Sequence, residues 1–468
     1  DRKTISTYAL TYETPQDIHG LVDEFMATGL FDYVEPNFIG ELCVDRVIPN
    51  DEFYTKQWNY NNDGTFISSD SKVDADVDMD LAWDVEQGSS SITVAIIDTG
   101  IKLDHPEFSG RNWTNSGETL DGSDSDGNGF VDDINGYDFQ NDDSDPTDDN
   151  GHGTAVAGII GGGGNNSIGF AGIDWNCKLM HLKAMDSDGM GTYLNWVDAI
   201  YYAVDNGADV INMSVGSTGP STSLLNAVNY AYFDDVTVVA ASGNDNGAIK
   251  YPAEYANTIA VGSTDPEDLR SDPFPSSPGS GSCYGAKLNL VAPGSYIYAL
   301  QHDDDNEYNK YTSGTSFAAP HVAGACALLL AQDPSRDPDD LEDILQTSAE
   351  DEVGDPAEDI PGWDEYYGWG RLNIYYALNF ESLGLGEQQE GSIRMYPNPA
   401  KDILHINCKN IQSGEVHILN TLGQTVLTSD FSKSLFGIST AGLSKGAYVV
   451  HIYNDQDQLM ATEKLVKE

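Results

Sequence analysis

The sequence predicts an α/β protein built on a doubly wound, mostly parallel β-sheet. Residues 92–97 are Ile-Thr-Val-Ala-Ile-Ile, and such a continuous, mostly β-branched run is typical of a strand buried on both faces of a parallel sheet. Further apolar runs alternate with stretches of helical spacing, which is the pattern of a doubly wound fold. Residues 317–330 are almost wholly apolar and rich in alanine, so we expect a buried helix there.

The other elements of this sheet are expected further along the chain. Two helices are predicted over residues 192–206 and 221–233, each lying between strand candidates. The strand candidates are short runs of apolar and β-branched residues at 178–182, 210–213, 236–240, 258–261 and 288–291.

Different patterns predict a smaller domain at each end of the sheet. Before it, residues 4–12 and 30–38 alternate as strands do and residues 15–28 have helical spacing, which indicates a small α+β piece. After it, a linker rich in glycine, glutamate and glutamine leads into short alternating segments, which predict a small all-β sandwich. Those segments are 404–407, 416–419, 425–427 and 447–453. We therefore divide the chain into residues 1–48, 49–380, the linker 381–392, and 393–468.

The charge balance excludes several classes of partner. The 468 residues include 22 basic and 76 acidic side chains, a formal net charge of −54, so we expect no nucleic-acid partner.

No run of about 18 uninterrupted apolar residues exists, which predicts no transmembrane segment. The five cysteines form no Cys-x-x-Cys pair, so a zinc site is not expected. The chain begins at Asp1 without a signal peptide, and we expect a processed or truncated product.

Four polar residues lie where such a fold places chemistry. Asp98 and Asn244 each follow directly after a predicted strand, at the end where open α/β sheets bind ligands. His152 lies at the start of a helix of small residues. Ser316 lies at the N-terminus of the predicted buried helix, where unpaired N–H groups and the positive end of the dipole favour developing negative charge. These positions suit an acyl-transfer nucleophile and its base.

Three motifs resemble the signature motifs of the subtilisin-like serine peptidases, and the resemblance extends from about residue 50 to residue 380. The motifs are Asp98-Thr-Gly100, Gly151-His-Gly-Thr154 and Gly314-Thr-Ser-Phe-Ala-Ala-Pro320, in the family's order. The resemblance implies that Ser316 is the nucleophile, that His152 exchanges its proton and that Asp98 orients the imidazole. It also implies that the Asn244 side-chain amide and the Ser316 backbone N–H hold the oxyanion.

The resemblance places substrate recognition in two segments. An edge segment that pairs with the substrate backbone, as an added strand does, consists of Ser214, Val215 and Gly216. One wall of the pocket for the residue before the scissile bond consists of Ala241, Ser242 and Gly243. Asp245 and Lys250 lie near the expected floor of that pocket. They either neutralise each other, select a charged substrate residue or are solvated loop charges.

An aspartate-rich stretch is a candidate calcium site. Between Asp121 and Asp149 there are eleven aspartates and no lysine or arginine. One interpretation is a solvated loop, which charge runs usually are. The other is a Ca²⁺ loop similar to that of the EF-hand, without its bidentate glutamate. Its oxygen ligands would come from Asp124, Asp126, Asn128, the carbonyl of Phe130, and Asp133.

Two further calcium sites are implied by the family resemblance. One is similar to a site that precedes the catalytic histidine in thermostable members, and it would use Asp138, Asp143, Asp145 and Thr147. The other matches the family's tight site, and it would use Asp51, Glu107 and Asn166 with the carbonyls of Gly163, Ile168 and Phe170. Oxygen-only ligands of this kind select calcium over zinc or copper.

Both ends of the chain resemble segments with roles in folding and export. The first 48 residues resemble the end of the family's pro-region, which implies that the chain's own pro-region inhibits the cleft; a structural extension is the alternative. Tyr396-Pro-Asn-Pro399 and Lys464-Leu-Val-Lys467 resemble the C-terminal sorting domain of proteins exported by the type IX route. This implies the export machinery as a partner and a secreted or surface-attached, extracellular protein. A carbohydrate-binding or spacer sandwich is the alternative.

Together these observations favour a secreted, calcium-stabilised serine endopeptidase that acts on protein or peptide substrates. A catalytically inactive fold of the same family, serving as a surface-binding module, is the rival interpretation. The intact set of Asp98, His152, Asn244 and Ser316 argues against it. A calcium-binding adhesin would need repeats of the aspartate-rich loop, and the sequence contains one copy.

Overall fold

A computed structural model gives the fold of most of the chain as two compact units, Asp1–Leu378 and Asn379–Glu468. The structure describes residues 25–28, 46–66, 71–275, 277–303, 310–380, 393–396, 403–408, 413–420, 424–432, 435–455 and 458–467. Both predicted N-terminal strands, most of the predicted helix at 15–28 and the linker 381–392 lie outside these residues. Within them, residues 25–27 are helical.

The first unit is built on one parallel sheet. Its strands are β1 Thr93–Asp98, β2 Gly136–Asp138, β3 Lys178–Lys183, β4 Val210–Met213, β5 Thr237–Ala241, β6 Ile259–Thr264 and β7 Leu290–Pro293; an antiparallel pair, β8 Ile297–Ala299 and β9 Lys310–Thr312, follows. The seven strands have the order β2-β3-β1-β4-β5-β6-β7, and every neighbouring pair is parallel. The predicted doubly wound parallel sheet is confirmed.

Helices cover both faces of this sheet. They are α1 Met79–Ala82, α2 His152–Gly161, α3 Tyr193–Asp205, α4 Thr222–Phe233, α5 Thr315–Gln332, α6 Pro338–Thr347 and α7 Ile374–Leu378. Ala95 and Ile97 of β1 share a core cluster with residues of α3 and α4. The intervening Val94 and Ile96 are also buried, and side chains alternate between the faces of a strand. The strand is therefore buried on both faces, as its composition predicts.

Local capping explains where two helices begin. The hydroxyl of Thr192 accepts a hydrogen bond from the N–H of Asn195 at the start of α3, and that of Ser221 accepts one from Leu224 at the start of α4. These side chains satisfy N–H groups that have no partner within the helix. Both helices therefore begin within one residue of the predicted positions.

The apolar helix α5 forms the centre of the first unit. All residues from 317 to 330 are buried, so the predicted buried helix is confirmed. The helix packs along β4, β5, β6 and β7. Gly324 lets the helix approach the segment that precedes β3, because a Cβ there would lie 2.8 Å from Ile173. The N-terminus of α5 lies at the sheet edge where β4 and β5 end, because residues 214 and 244 both hydrogen-bond to its first turn.

The second unit is an all-β sandwich, as predicted. Its strands are β10 Ile393–Tyr396, β11 Ile403–Cys408, β12 Gly414–Leu419, β13 Thr425–Phe431, β14 Leu435–Ser439, β15 Gly446–Asn454 and β16 Leu459–Lys467. They form two antiparallel sheets, β10-β11-β14 and β13-β12-β15-β16. Leu404 and Ile406 of the first sheet share one core with Val416, Val450 and Leu465 of the second.

Two further properties concern the cysteines and the helices that the structure describes. Cys177, Cys283, Cys326 and Cys408, the cysteines that the structure describes, are all free and buried. Among the helices of the described ranges, none is both long and apolar enough to cross a membrane.

Candidate active site

The structure brings Asp98 and His152 together across 54 residues of chain. Asp98 is the last residue of β1 and is only 1% exposed, whereas His152 is the first residue of α2 and its side chain is 28% exposed. Asp98 Oδ1 lies 2.7 Å from Nδ1 of His152 and accepts the N–H of Thr99 at 2.8 Å. Its Oδ2 is buried without a hydrogen-bond partner in the described part of the chain. Asp98 thus holds the imidazole through Nδ1, and Nε2 is the ring nitrogen that does not contact Asp98.

Asp148 anchors the turn that presents His152, and sequence reasoning missed it. Its Oδ1 accepts the N–H of Gly151 at 2.8 Å and the hydroxyl of Thr99 at 2.9 Å. Its Oδ2 accepts the N–H and the hydroxyl of Thr154 at 2.9 and 2.6 Å. A carboxylate at the positive end of α2 is favourable. An aspartate just before a predicted helix start is the signal that could have identified it.

In two of the motifs, close approach of another backbone segment requires a glycine. A Cβ on Gly153 would lie 2.1 Å from the carbonyl oxygen of Gly100. Gly100 itself has φ +104°, and a Cβ there would lie 2.5 Å from the carbonyl oxygen of Pro146. The buried Lys183 supports the same turn, because its Nζ donates to the carbonyl of Thr99 at 3.0 Å. A larger residue at Gly153 would push α2 away from the end of β1, and one at Gly100 would displace residues 146–148, which lead to His152.

Ser316 is the second residue of α5 and interlocks with Ser214, which follows β4. Its hydroxyl donates to the carbonyl of Ser214 at 3.1 Å. The hydroxyl of Ser214 in turn donates to the carbonyl of Ser316 at 2.7 Å. That carbonyl accepts it because Pro320, four residues on, has no N–H to donate. His152 lies close by, since its ring centroid is 5.2 Å from that of Phe317.

Asn244 is fixed against the first turn of α5. Its Oδ1 accepts the N–H and the hydroxyl of Thr315 at 2.9 and 2.8 Å. Its Nδ2 makes no hydrogen bond within the described ranges, and a Cβ on Gly314 would lie 3.2 Å from it. The amide N–H groups are therefore available beside the N-terminus of α5.

The two candidate substrate segments flank residue 250, and we refer to them as the walls of a trough with residue 250 as its floor. The first wall, 214–216, continues into Ser217, which exchanges backbone hydrogen bonds with Tyr251 at 2.9 and 2.8 Å. The second wall, 241–243, is held from below because the N–H of Lys250 donates to the carbonyl of Ser242 at 2.9 Å. Gly216 is exposed, and none of the backbone hydrogen bonds described uses its N–H or C=O. It is thus available for pairing with an extended chain.

The structure shows how Asp245 and Lys250 are placed relative to each other. Their side chains form an ion pair, with the lysine side chain 15% exposed and the aspartate side chain 68% exposed. The lysine is therefore part of the trough, and only the aspartate is a surface charge.

An acidic cluster lies in the aspartate-rich stretch. Glu118, Asp126 and Asp133 place carboxylate oxygens within 4.8 Å of one another, and they are the only acidic trio this close among the residues described. Asp133 is fully buried and accepts the hydroxyl of Tyr202 at 2.5 Å. Burial raises the pKa of Tyr202, and the bond to Asp133 adds to this rise. None of the ion pairs described involves the trio, and Glu118 was not among the predicted ligands.

The other predicted ligands of this loop take different positions. Asn128 adjoins the cluster, because its Nδ2 donates to Asp133 at 2.9 Å. Its Oδ1 accepts the N–H of Phe130 at 2.8 Å. Asp124 instead shapes the turn, since its carboxylate accepts the N–H groups of Gly127 and Gly129 at 2.7 and 3.0 Å. The cluster therefore combines part of the predicted set with Glu118.

The residues of the predicted tight site surround the loop at 163–170. The carboxylate of Asp51 accepts the N–H of Asn166 at 3.4 Å, and burial raises its pKa. The carboxylate of Glu107 accepts Nδ2 of Asn166 at 2.8 Å and the N–H of Phe170 at 3.1 Å. The backbone carbonyl of Glu107 accepts the N–H of Gly163 at 2.9 Å. The predicted side chains and the loop that carries the predicted carbonyls are thus brought together.

The ligands of the remaining predicted site form local turns. Asp138 is buried, which raises its pKa, and it accepts the N–H of Asn141 at 2.9 Å. Asp143 accepts the N–H of Asp145 at 3.0 Å, and Asp145 accepts the hydroxyl of Thr147 at 2.5 Å. Asp138 and Asp143 meet through their backbones. The structure thus gives these four residues a shared loop.

Comparisons with known proteins identify relatives for both units. A family model described as the subtilase family matches residues 89–370, and a model for the secretion-system C-terminal sorting domain matches residues 394–468. A thermophilic serine proteinase of Bacillus sp. strain AK1 is 35% identical over 365 residues, 78% of this chain and 77% of that protein. Thermitase of Thermoactinomyces vulgaris is 36% identical over 300 residues, 64% of this chain and 92% of that protein.

A solved structure and a further relative agree with these matches. A protease from Pseudoalteromonas arctica is 26% identical, covers 71% of this chain and 99% of its own, and superimposes with a TM-score of 0.53. An extracellular halolysin-like serine protease of Natrialba magadii is 35% identical over 335 residues, 71% of this chain and 53% of that protein.

Proposed function

Because the chain belongs to the subtilase family of serine peptidases, we propose that it cleaves peptide bonds through Asp98, His152 and Ser316, with Asn244 in the oxyanion hole. The observation that carries this proposal is the 2.7 Å contact between the buried Asp98 carboxylate and Nδ1 of His152. It lies at the same sheet edge as the start of α5, where Ser316 is located. The match to the sorting domain indicates secretion, so the site acts outside the cell.

The Asp98–His152 pair supplies the base. Nδ1–H donates to the Asp98 carboxylate, which leaves Nε2 unprotonated and able to accept a proton. On substrate binding the Ser316 hydroxyl turns from the Ser214 carbonyl to this nitrogen, and its oxygen attacks the scissile carbonyl carbon. The proton passes to His152, which later gives it to the leaving amine. Asp98 stabilises the imidazolium, and its buried position strengthens that interaction.

The oxyanion forms beside the N-terminus of α5. The Ser316 backbone N–H is at the first turn of an 18-residue helix, where the dipole favours negative charge. The Nδ2 group of Asn244 is the second donor, because its Oδ1 is already held by Thr315. These donors are in place before the reaction, so no reorganisation is needed when the charge develops.

Substrates bind as an extended chain along residues 214–216. The exposed backbone of Gly216 supports this, because an added strand needs unpaired N–H and C=O groups. The side chain before the scissile bond then enters the trough. This mode suits internal bonds of proteins and peptides, which makes the enzyme an endopeptidase.

Calcium stabilises the loops around the site rather than taking part in the reaction. Glu118, Asp126 and Asp133 would hold one ion, and the residue types fit, since calcium takes about six to eight oxygen ligands. The loop at 163–170 with Asp51 would hold another. When bound, the ion supplies the positive charge that the clustered carboxylates lack. The aspartate-rich stretch leads directly to Asp148 and His152, so its order bears on the base.

The two ends of the chain act before the mature enzyme does. The first 48 residues act as a pro-region that inhibits the peptidase and is removed by self-cleavage between about residues 43 and 50. The C-terminal sandwich is recognised by the type IX export machinery, in line with its sorting-domain match.

The test is hydrolysis of a quenched-fluorescence peptide library by the parent, Ser316→Ala and Ser313→Ala. Ser313 is a matched control from the same loop, and its hydroxyl accepts the N–H of Tyr296. We expect Ser316→Ala to abolish hydrolysis and to retain residues 1–48, whereas Ser313→Ala stays active. Turnover by Ser316→Ala at the parent rate would refute the proposal.

A further inference from the structure

The stem of Lys250 fills the floor of the trough between the two walls. A Cβ on Gly216 would lie 2.9 Å from Cβ of Lys250. On the opposite wall, a Cβ on Gly243 would lie 2.5 Å from its Cγ and 3.4 Å from its Cε. The lysine stem therefore lies between the two walls, with Cβ and Cγ near Gly216 and with Cγ and Cε near Gly243, and the glycines leave the room that it occupies.

The ammonium group at the end of this stem pairs with one carboxylate. Asp245 is its sole ion-pair partner in the described part of the chain, and the aspartate is much the more exposed of the two. An ammonium group has three donors, so Lys250 can bind further acceptors besides this carboxylate. An acceptor that enters the trough would reach a cation whose side chain is 15% exposed.

We propose that Lys250 selects the substrate residue before the scissile bond, favouring glutamate over lysine, arginine and large aromatic residues. This inference rests on the proposed peptidase function and names the substrate class of the same site. The carboxylate of the glutamate accepts a charge-assisted hydrogen bond from Lys250 Nζ, and the chain atoms of both side chains pack between the glycine walls.

The competing side chains meet specific obstacles in the trough. A substrate lysine or arginine brings a positive charge against the Lys250 ammonium, which is held in place by its packed stem. A large aromatic ring needs depth that the stem occupies. Asp245 weakens the preference without reversing it, because an exposed carboxylate is well screened by water. Its removal should therefore sharpen the selection of glutamate.

The net charge of the protein does not account for a difference in substrate preference between the parent and a single variant. The net charge of −54 repels acidic peptides at long range, but salt screens such effects beyond about 8 Å under physiological conditions. The same field acts on the parent and on single variants. A change in preference on substitution therefore reports the local contact.

The experiment compares kcat/KM for Ala-Ala-Pro-Xaa-p-nitroanilides with glutamate, lysine or phenylalanine as Xaa. The variants are Lys250→Met, which keeps most of the stem, and Asp245→Asn. The matched control is Lys102→Met, because Lys102 pairs with Asp104 at side-chain exposures of 20% and 82%, close to those of the pair in the trough. Fluorophosphonate labelling of each variant shows that its serine is still activated.

We expect the parent to prefer glutamate and Lys250→Met to lower the glutamate-to-lysine ratio of kcat/KM by about tenfold or more, the worth of one charge-assisted bond. Asp245→Asn should raise that ratio, and Lys102→Met should leave it unchanged. A parent that prefers lysine or phenylalanine, or a ratio that Lys250→Met does not move, would overturn the inference while activity persists. Loss of labelling and of all turnover in the parent would instead refute the peptidase function.

Discussion

Removal of calcium should destabilise the enzyme, because the carboxylates of the acidic cluster would then repel one another. The oxygens of Glu118, Asp126 and Asp133 lie within 4.8 Å of one another, and at an effective dielectric of about 20 each pair of charges at that distance repels by about 3 kcal/mol. A cation that binds only the folded loop cancels this repulsion. At a free concentration a hundred times its dissociation constant it adds about 2.7 kcal/mol.

This free energy converts to a measurable change in Tm. For the first unit, with about 380 residues, each kcal/mol moves Tm by about 1.3 °C, so one site accounts for about 3 °C. The assay is calorimetry of Ser316→Ala protein, which cannot digest itself, with calcium and with EGTA. Asp133→Asn should abolish most of the response, whereas Asp188→Asn, which alters an exposed aspartate elsewhere, should keep it.

Two outcomes of the calorimetry would contradict this prediction. A Tm that ignores EGTA but climbs steadily with sodium chloride would mean that the carboxylates are only screened, not bridged by an ion. An EGTA response that survives in Asp133→Asn would assign the calcium to another loop.

Two further predictions concern the oxyanion hole and a buried carboxylate. Asn244→Asp keeps an oxygen for α5 but loses the N–H donors, so kcat should fall by about a hundredfold or more with KM little changed; a fall below about tenfold would contradict the assigned role. Burial, and next the charge of Asp339, raise the pKa of Glu342 to about 7. Its stabilising contribution is thus complete below the ordinary pKa of a glutamate and is lost as pH rises through about 7. Glu342→Gln keeps the oxygen that accepts from Asn289 and Gln346, so by chemical denaturation it should match the parent at acid pH and gain up to about 3 kcal/mol at pH 8; equal stabilities at pH 8 would contradict this.

The sequence predicts those parts of the fold that depend on local composition. The strand at 92–97 and residues 317–330 of α5 are almost wholly apolar, and such segments are stable in water when they are buried on all sides. By contrast, β2 has three residues and lies within the aspartate-rich stretch, where no periodicity can develop. The strands β10, β14 and β16 were also not predicted, since the alternating pattern of the sandwich is weak in each strand taken alone.

The site residues also divide into those that the sequence identifies and those that it does not. Asp98, His152, Asn244 and Ser316 stand in recognisable motifs, and their places at strand ends and helix starts follow from the fold class. Asp148 and Glu118 were not identified from the sequence, because their positions depend on the path of loops. Asp245 and Lys250 were named as candidates, but their ion pairing depends on the loop in which residue 251 pairs with residue 217. Such tertiary pairing has no signature within a short window of sequence.

The most direct measurement of the central claim is the site of covalent labelling by a fluorophosphonate probe. Only an activated serine reacts, so mass spectrometry of the digested parent should find about one label per molecule, on Ser316. His152→Ala should lose the label although it keeps the serine, because the base is gone. Labelling of another residue, or undiminished labelling of His152→Ala, would contradict the account.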